Sequence, residues 1–565
     1  MRSILARLSV ALVAVVAFAC AGCDSRLPDP IPAAHPDSKE PRRGGVLQLA
    51  TFGDIRAVDP ANLTDGLAPQ VLQATLAGLV DFDQSGKMFP DLADHYEVLD
   101  EGKTYRFTLR QNARFHDGEE VTADDVKRSS ERALGPKSPN PYTSNFTTLV
   151  GLPAFTAGKA DSISGIEVEG KYVVTYRLDK PDSAFLPLLA MHMLRPVCRS
   201  AGKVYTDTWT VCGAGPFKLK RWDRGRELVL ERHEGYFRPG LPYLDGIQWT
   251  YKVTQASQTF KFQSGELDII RDFTMPVLLR YRADDRWNPY AEYEAEKQIA
   301  GEAMNVEMPP FDNIEFRRAI NAAIDREELA KVRSAALRPG YTPVPPAVPG
   351  YDASVGQKFD LEAAREHMRK AGYPNGYPDP IPYVVYKQGL NEYTGQILAQ
   401  QLAKIGVRIE LRIVNYPTFI ALRGRRKGAA FGPGMWQQDY PEAGSFLEPL
   451  FHSRSISDED ANNWSFYKNP RVDELIDAAR AEPDEARRMK IYKETQEIIC
   501  DEAPWAFTNY YRWYVQHQPY VRDSHPHPVW TVEASHTWMD RALGPAGLHG
   551  ARTFFSKDAL AKVFR

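Results

Sequence analysis

A short segment at residues 434–447 (GMWQQDYPEAGSFL) places an isolated carboxylate beside aromatic side chains. Trp436, Asp439 and Tyr440 lie in a glycine-bounded stretch that is typical of an extended segment and a turn. Such a carboxylate suits the capture of a ligand ammonium group, because a cation withdrawn from water needs a fixed counter-charge. The alternative is that Asp439 only shapes the turn before Pro441. The segment therefore predicts a binding site for a positively charged group.

Other polar clusters do not complete a catalytic pattern. His233 and Glu234 begin a zinc-protease motif, but Phe237 occupies the position of the second metal ligand. The serine nucleophile motif G-x-S-x-G is absent from the sequence. His525 and His527 could bind a metal ion weakly, although an exposed proline-rich loop is the simpler interpretation. We therefore expect no catalytic residues, no metal and no cofactor, and a protein that is not an enzyme.

The secondary-structure signals of the chain are clearest at residues 90–126. Residues 105–109 alternate apolar and polar side chains, which predicts a half-buried strand. The Asp-Gly pair at 117–118 predicts a tight turn. Thr122, followed by two acidic residues, is a typical helix N-cap. His116 and its neighbour Asp117 are therefore assigned to strand and turn and not to a catalytic pair.

The remaining chain alternates predicted strands and helices, as expected for a mixed α/β protein. Strand patterns occur at 45–51, 173–178 and 217–251. Helical patterns occur at 70–79, 181–189, 313–332, 361–371, 391–405, 470–480 and 484–499.

The sequence of residues 90–126 resembles that of the family 5 solute-binding proteins of ABC importers, the group that contains periplasmic oligopeptide- and dipeptide-binding proteins. It has the family patterns P-x-L-A, G-x-T-Y-x-F-x-L-R, F-H-D-G and V-T-A-x-D-V. Residues 213–217 (GAGPF), 262–269, 305–326 and 400–407 resemble further family stretches. The resemblance implies an α/β fold of the periplasmic binding protein type, with two lobes around a hinge and an additional inserted domain (cluster C type).

The resemblance also implies a domain division. The first domain is expected to be discontinuous, because the chain leaves it and returns. The expected parts are a signal peptide at 1–22, a lipidated flexible tether at 23–43, domain I at 44–84, 205–300 and 501–565, inserted domain II at 85–204, and domain III at 301–500 with the main ligand-contacting segment.

The family further suggests which residues contact the ligand. In peptide-binding members a W-x-x-D segment supplies main-chain hydrogen bonds and a carboxylate for the α-ammonium group. That pattern falls here on Trp436, Gln437, Gln438 and Asp439. The common family sequence at this point is D-Y-P-D-P, and this chain departs from it at Glu442 and Ala443.

Three further segments extend the expected site. Tyr416 lies where peptide-binding relatives place a pocket aromatic residue, and Arg423 falls at a basic position of the same run. Arginine pairs with carboxylates in a bidentate way, so the run 423–426 could neutralise a ligand carboxylate. A solvated basic turn is the better interpretation for Arg425 and Arg426. Phe52 and Asp54 belong to the first-domain loop that faces the cleft in the family.

The N-terminal residues have the features of an exported lipoprotein. Arg2 and Arg7 precede an apolar run of about 15 residues, roughly 22 Å of helix, which is too short for a ~30 Å hydrocarbon core. This predicts a signal peptide. The small residues before Cys23 resemble a lipobox, so Cys23 is the expected lipidation site. Asp24 is the residue that favours inner-membrane retention in some Gram-negative bacteria, and the proline-rich residues 24–43 read as a tether.

The other cysteines fit an oxidising compartment. Cys198 and Cys212 enclose about 15 residues, and a bridge between them would contribute about 3 kcal/mol through loop entropy. Whether they are bridged is left open. Cys500 lies in an apolar helical run and is expected to be a small core residue.

Composition agrees with a soluble exported binder. The net charge is −3, from 70 basic and 73 acidic residues, so the chain lacks the excess of positive charge that is typical of nucleic-acid-binding proteins. We expect a monomeric, membrane-anchored periplasmic protein that binds a small solute, with a peptide first, and delivers it to ABC permease subunits. The alternatives are an opine, oligosaccharide or metal chelate as ligand, or a hydrolase or structural lipoprotein on this fold.

Overall fold

A computed structural model describes residues 26–541, apart from 56, 63–67, 141, 207–208, 333–336, 387–390 and 531–532. The predicted signal peptide at 1–22, the lipidation site Cys23 and Asp24 lie outside the described residues. Within the described part of the chain, we find no helix with the length and apolar character needed to cross a membrane.

The described strands are short and are distributed along the whole chain. In chain order they are β1 (Val46–Ala50), β2 (Val80–Phe82), β3 (Met88–Pro90), β4 (Ala93–Leu99), β5 (Thr104–Leu109), β6 (Ile166–Glu169), β7 (Val173–Arg177), β8 (Phe217–Asp223), β9 (Glu227–Arg232), β10 (Gly246–Thr250), β11 (Ile269–Ile270), β12 (Ala291–Tyr293), β13 (Gln298–Met304), β14 (Leu337–Pro339), β15 (Ile381–Tyr386), β16 (Ile409–Val414), β17 (Phe431–Gln437), β18 (Trp505–Tyr511), β19 (Tyr514–His517), β20 (Val521–Arg522) and β21 (Trp538–Met539).

The described α-helices concentrate in the second half of the chain. In chain order they are α1 (Ala68–Thr75), α2 (Ala123–Leu134), α3 (Leu152–Thr156), α4 (Phe185–Ala190), α5 (Gln255–Gln263), α6 (Met275–Arg282), α7 (Ile314–Ala323), α8 (Arg326–Val332), α9 (Leu361–Lys370), α10 (Asn391–Ala403), α11 (Tyr416–Gly424), α12 (Gly444–Phe451), α13 (Pro470–Ala481) and α14 (Glu485–Glu502).

The three largest of the six sheets in the described part of the chain organise the molecule. The first sheet has the order β1-β10-β9-β8, in which β1 and β10 are parallel. The inserted sheet, β4-β5-β7-β6, is antiparallel and shares a hydrophobic core with α2. The large sheet has the order β14-β18-β13-β17-β15-β16 and is mixed. Each sheet has its own buried cluster of apolar side chains, so the protein is built from separate packed units.

The inserted sheet confirms the local prediction for residues 90–126. Residues 105–109 lie in β5, and Tyr105, Phe107 and Leu109 are buried. Thr122 begins α2 with a capping box, in which its backbone N–H donates to Asp125 over 3.1 Å. Gly118 has a positive φ of 89°, as the predicted turn requires.

His116 has a structural role in the turn that follows. Its Nδ1 accepts a hydrogen bond from the Gly213 N–H, and its Nε2 donates to the Gly215 carbonyl, both over 3.2 Å. His233 also donates to that carbonyl, over 3.1 Å. Burial lowers the pKa of His116 to about 3, so the imidazole stays neutral. The F-H-D-G and GAGPF stretches are therefore joined directly by these hydrogen bonds.

The large sheet differs from the predicted domain boundary. β18 pairs with β13, so the unit built on this sheet continues to Tyr511 and does not end at residue 500. The single helix predicted at 313–332 is also divided. Asp325 accepts hydrogen bonds from the backbone N–H groups of Glu327 and Glu328, both over 3.1 Å, and thereby begins α8 as a separate helix.

Residues 26–43 do not hang free as the predicted tether would. Leu27 is buried, and the indole N–H of Trp287 donates to the Pro28 carbonyl over 3.0 Å. Further along, the Ala34 N–H donates to the Asp540 carbonyl over 2.7 Å. Proline-rich sequence lacks N–H donors but keeps its carbonyls, and here side chains of the folded unit satisfy them. The segment is a docked part of the fold.

The cysteines and the C-terminal histidines also take definite places. Cys198 and Cys212 are joined by a disulfide, and Cys500 is half-buried against the carbonyls of neighbouring loops. The predicted exposed loop at His525 and His527 is wrong for His527, which is buried. Its Nε2 donates to the Phe82 carbonyl over 3.0 Å, while His525 contacts a different group, Glu292.

Candidate functional site

The predicted binding segment lies at the centre of the large sheet. β17 pairs with β13 on one side, where Ile299 faces Trp436, and with β15 on the other. Gly434 allows this strand to pass over the buried ring of Trp505, because a Cβ at Gly434 would lie 2.2 Å from that ring. The strand ends at Gln437, so Asp439 lies just beyond the end of the strand, in the turn that leads to α12.

A cavity of about 460 Å³ opens at this strand end. One wall is the segment from Trp436 to Glu448, and the opposite wall comes from Tyr142, Ser144 and Asn145 of the predicted inserted domain. The site is therefore formed between two packed units, as expected for a protein that closes over its ligand.

Asp439 carries the unusual electrostatics of the cavity. It is half-buried, and in the described part of the chain it takes part in no ion pair. Loss of solvation raises the pKa of Asp439 to about 7, and the negative charge of Glu448 acts in the same direction. Hydrogen bonding by Tyr142 and Trp436 opposes this rise. The carboxylate is thus poised to ionise fully when a cation arrives.

The other three residues of the W-x-x-D segment differ in their surroundings. The Trp436 indole donates to the Ser445 carbonyl over 2.9 Å, and its half-buried ring lines the cavity. Gln437 is exposed. Gln438 is buried, and its N–H and side-chain amide donate to the carbonyls of Lys297 and Pro528 over 3.1 and 3.2 Å. These bonds give Gln438 a structural role in this conformation.

A second cavity, of about 110 Å³, contains Tyr416 and Arg423. Tyr416 is 54% exposed, with its ring 5.0 Å from that of Tyr386. Arg425 and Arg426 are occupied by acidic neighbours, since Arg425 pairs with Glu459 over 2.9 Å and Arg426 pairs with Glu307 and Asp458, each over 2.7 Å. Within residues 26–541 as described, Arg423 has no such partner.

The first-domain loop reaches a different place. Phe52 is 61% exposed and lines a cavity of about 130 Å³ together with Arg271 and Asp272. Asp54 pairs with Lys252 over 3.2 Å and does not line the Asp439 cavity. The structure therefore does not bring Phe52 and Asp54 together with Asp439.

Sequence reasoning missed Tyr142. It belongs to a proline-bounded turn, NPYTSN, whose only signal is an aromatic residue in a loop. In the structure its hydroxyl group interacts with Asp439, and burial together with that carboxylate raises the pKa of Tyr142. No local pattern relates two residues that lie 297 positions apart, so only the tertiary structure shows this pairing.

Arg480 was also missed, and it connects the two walls. From α13 it donates to both oxygens of the fully buried Asp182 over 2.9 Å, and it pairs with Glu448 over 2.8 Å. Asp182 belongs to the predicted inserted domain, whereas Glu448 lies beside Asp439. Arg480 thus holds the two walls together and pairs with Glu448, whereas Asp439 takes part in no ion pair among the described residues.

Comparison with known proteins gives three kinds of similarity. Residues 87–458 match the family described as bacterial extracellular solute-binding proteins, family 5 Middle. The glutathione-binding protein GsiB of Salmonella typhimurium is 29% identical over 473 residues, which are 81% of this chain and 87% of that protein.

Solved structures agree in fold. The periplasmic binding protein DppA of Helicobacter pylori, in complex with the peptide STSA, has a TM-score of 0.74 and 23% identity, and covers 88% of this chain and 99% of that chain. AgaA of A. tumefaciens R10, in complex with agropinic acid, has a TM-score of 0.70 and 24% identity, and covers 87% of this chain and 99% of that chain. Both likenesses concern the fold.

Proposed function

Because the chain belongs to the family 5 bacterial extracellular solute-binding proteins, which serve ABC importers, we propose that it captures a small amine-bearing solute, most favourably a peptide. The observation that carries this proposal is Asp439, a carboxylate without an ion-pair partner among the described residues, at the mouth of an inter-unit cavity. An α-ammonium group supplies the missing counter-charge. Trp436 and Tyr142 supply the walls around it.

The proposed mechanism is closure of the units over the ligand. A ligand shifts the open and closed populations only by binding the closed state more tightly. Contacts that reach both walls at once, to Asp439 on one side and to Tyr142 and Asn145 on the other, have this property because an open cleft separates them. The closed form is then the species that the permease accepts.

The relatives support a peptide before other solutes. GsiB is named for glutathione, a tripeptide, and the DppA structure contains a peptide. AgaA contains agropinic acid, so an opine is the second candidate. We propose no catalytic role, since the related proteins are solute-binding proteins.

Binding of trialanine tests the proposal. Asp439→Asn should weaken trialanine binding at least tenfold in isothermal titration calorimetry, since the amide keeps the shape but loses the charge. N-acetyl-trialanine, which lacks the ammonium group, should bind wild type and variant equally weakly.

Glu459→Gln is the matched control, because Glu459 is an exposed carboxylate paired with Arg425. It should bind trialanine like wild type. Equal affinity of wild type and Asp439→Asn for trialanine would contradict the role of Asp439, and stabilisation by opines alone would favour the second candidate.

We further propose the arrangement in the cell. The protein is exported, is anchored through lipid on Cys23 and works as a monomer with the permease subunits in the membrane. Its units are the discontinuous first domain, the inserted domain at 85–204 and a third domain, for which pairing of β13 with β18 supports an end near Tyr511.

A further inference from the structure

The two walls of the Asp439 cavity are joined by a group of hydrogen bonds beside it. Arg480, near the end of α13, donates from Nε and Nη2 to the two carboxylate oxygens of Asp182, each over 2.9 Å, and also donates to the Asn145 carbonyl. In the reverse direction, the Ser183 N–H donates to the Arg480 carbonyl over 2.7 Å. Asp182, Ser183 and Arg480 form this clasp, which connects the predicted inserted domain to the unit built on the large sheet.

Asp182 depends on the opposite wall for its counter-charge. Its side chain is fully buried, and its other partners are neutral groups of its own unit, the Thr148 hydroxyl at 2.9 Å and the Ala184 N–H at 3.1 Å. Among the described residues, Arg480 is the only cation within ion-pair distance of Asp182. A carboxylate withdrawn from water without a cation is strongly unfavourable. The closed arrangement of the walls therefore requires Arg480.

The clasp also fixes the wall that faces the ligand. Asn145, whose carbonyl accepts from Arg480, lines the Asp439 cavity together with Tyr142. The two belong to one turn, in which the Asn145 N–H donates to the Tyr142 carbonyl over 3.0 Å. Holding Asn145 in place therefore sets how far Tyr142 stands from Asp439. Arg480 does not line the cavity itself, so its effect on the ligand passes through these residues.

None of the bonds of the clasp involves an atom of the ligand, so the clasp forms whenever the walls meet. Bonds that exist only in the closed form slow its opening and leave ligand entry into the open cleft unchanged. The cost of withdrawing both charges from water offsets much of their attraction, so the pair does not lock the empty protein shut.

We propose that Arg480 is a positioning residue that, through Asp182 and Asn145, holds the wall of the inserted domain over the bound solute and so sets the rate at which the solute leaves; this inference rests on the proposed function.

Stopped-flow tryptophan fluorescence with trialanine tests this role on the full chain. Arg480→Gln leaves Asp182 without a cation in the closed form, so trialanine should leave at least about tenfold faster, with an association rate within about twofold of wild type. The double variant Asp182→Asn/Arg480→Gln removes both charges, and its dissociation rate should return to within about threefold of wild type.

Arg471→Gln is the matched control, because Arg471 lies on the same helix and pairs with Glu494 at the surface over 2.7 Å. Both of its rates should match those of wild type. An unchanged dissociation rate in Arg480→Gln, or a double variant that releases trialanine as fast as Arg480→Gln does, would overturn the proposal.

Hydrogen exchange of the Ser183 N–H in the empty protein keeps this result separate from the peptide assignment. Its acceptor is a backbone carbonyl, which no side-chain replacement removes. The N–H should be protected in wild type and should exchange at least about fivefold faster in Arg480→Gln, with protection restored in the double variant. The Phe107 N–H, in the buried strand β5, should exchange alike in all of them.

If trialanine does not bind while Ser183 behaves in this way, the peptide assignment fails and the clasp stands as the contact that closes the walls. An unprotected Ser183 N–H in wild type, or equal exchange in wild type and Arg480→Gln, would overturn the clasp whatever the ligand is.

Discussion

At the scale of single residues, the chemistry of the site depends on what Asp439 lacks. The charges near it are already paired, since Arg480 serves Asp182 and Glu448. Burial therefore acts on Asp439 without compensation and raises its pKa to about 7. The carboxyl group is half-protonated at neutral pH in the empty protein, and a bound ammonium group would draw it fully into the ionised form.

This predicts a pH optimum for binding. The pKa of Asp439 in the folded protein exceeds its unfolded value of 3.8, so the empty site is protonated below about pH 7. An ammonium group binds the ionised carboxylate, so ligand binding below pH 7 must release that proton. Affinity for trialanine should fall about 15-fold from pH 7 to 5.5, and should fall again above pH 8 as the ligand amine deprotonates. Calorimetry in buffers of different ionisation enthalpy measures the released proton directly.

Asp439→Asn provides the control for that titration. Below pH 8 its weak binding should not vary with pH. The empty variant should also be more stable than wild type at pH 8, by the order of 1–2 kcal/mol, because the raised pKa of Asp439 means that the wild-type fold loses stability as pH rises from about 4 to about 7. A wild-type pH profile that the variant shares would show that another group titrates.

At the scale of elements, β17 borders both cavities of the large sheet. Its Pro433, Gly434 and Met435 border the Arg423 cavity, while its end leads into the Asp439 cavity. The strand approaches the Trp505 ring so closely that position 434 has no room for a side chain. The position of the strand, and with it both cavities, depends on one glycine.

Gly434→Ala should therefore destabilise the protein by about 2–3 kcal/mol, because overpacking against a buried ring forces the backbone to shift. Ligand affinity should fall with it. Glu410→Ala, on the exposed face of β16 in the same sheet, should change stability by less than about 0.5 kcal/mol. Urea denaturation followed by tryptophan fluorescence measures both, and an unchanged midpoint for Gly434→Ala would contradict the close approach.

The same elements explain how far sequence reasoning reaches. Alternation and capping residues predict β5 and α2, because these signals are local. The family wording points to Asp439 because that residue follows a recognisable strand. Tyr142 and Arg480 have no such local signal, since each acquires its role from packing between distant segments. The end of the third unit was misplaced at residue 500 for the same reason: β18 joins its sheet across 200 residues.

At the scale of the whole molecule, the docked segment at 26–43 changes how an anchor would work. Lipidation at Cys23 predicts that Cys23→Ala releases the protein from membranes into the soluble fraction after cell fractionation, because no other lipid attachment is proposed. Cys500→Ala, which removes a half-buried thiol, should stay in the membrane fraction. Membrane association that persists in Cys23→Ala would contradict the lipobox interpretation.

The burial of Leu27 sets the reach of such an anchor. Cys23 and Leu27 are four residues apart, which allows at most about 14 Å between the lipid attachment and the folded surface. So short a connection would let the folded part rotate about the attachment point but would not let it move far from the membrane surface. A protein lipidated at Cys23 would also diffuse in the bilayer plane, with Leu27 held within that distance of the lipid. Its search for the permease would then be confined to two dimensions.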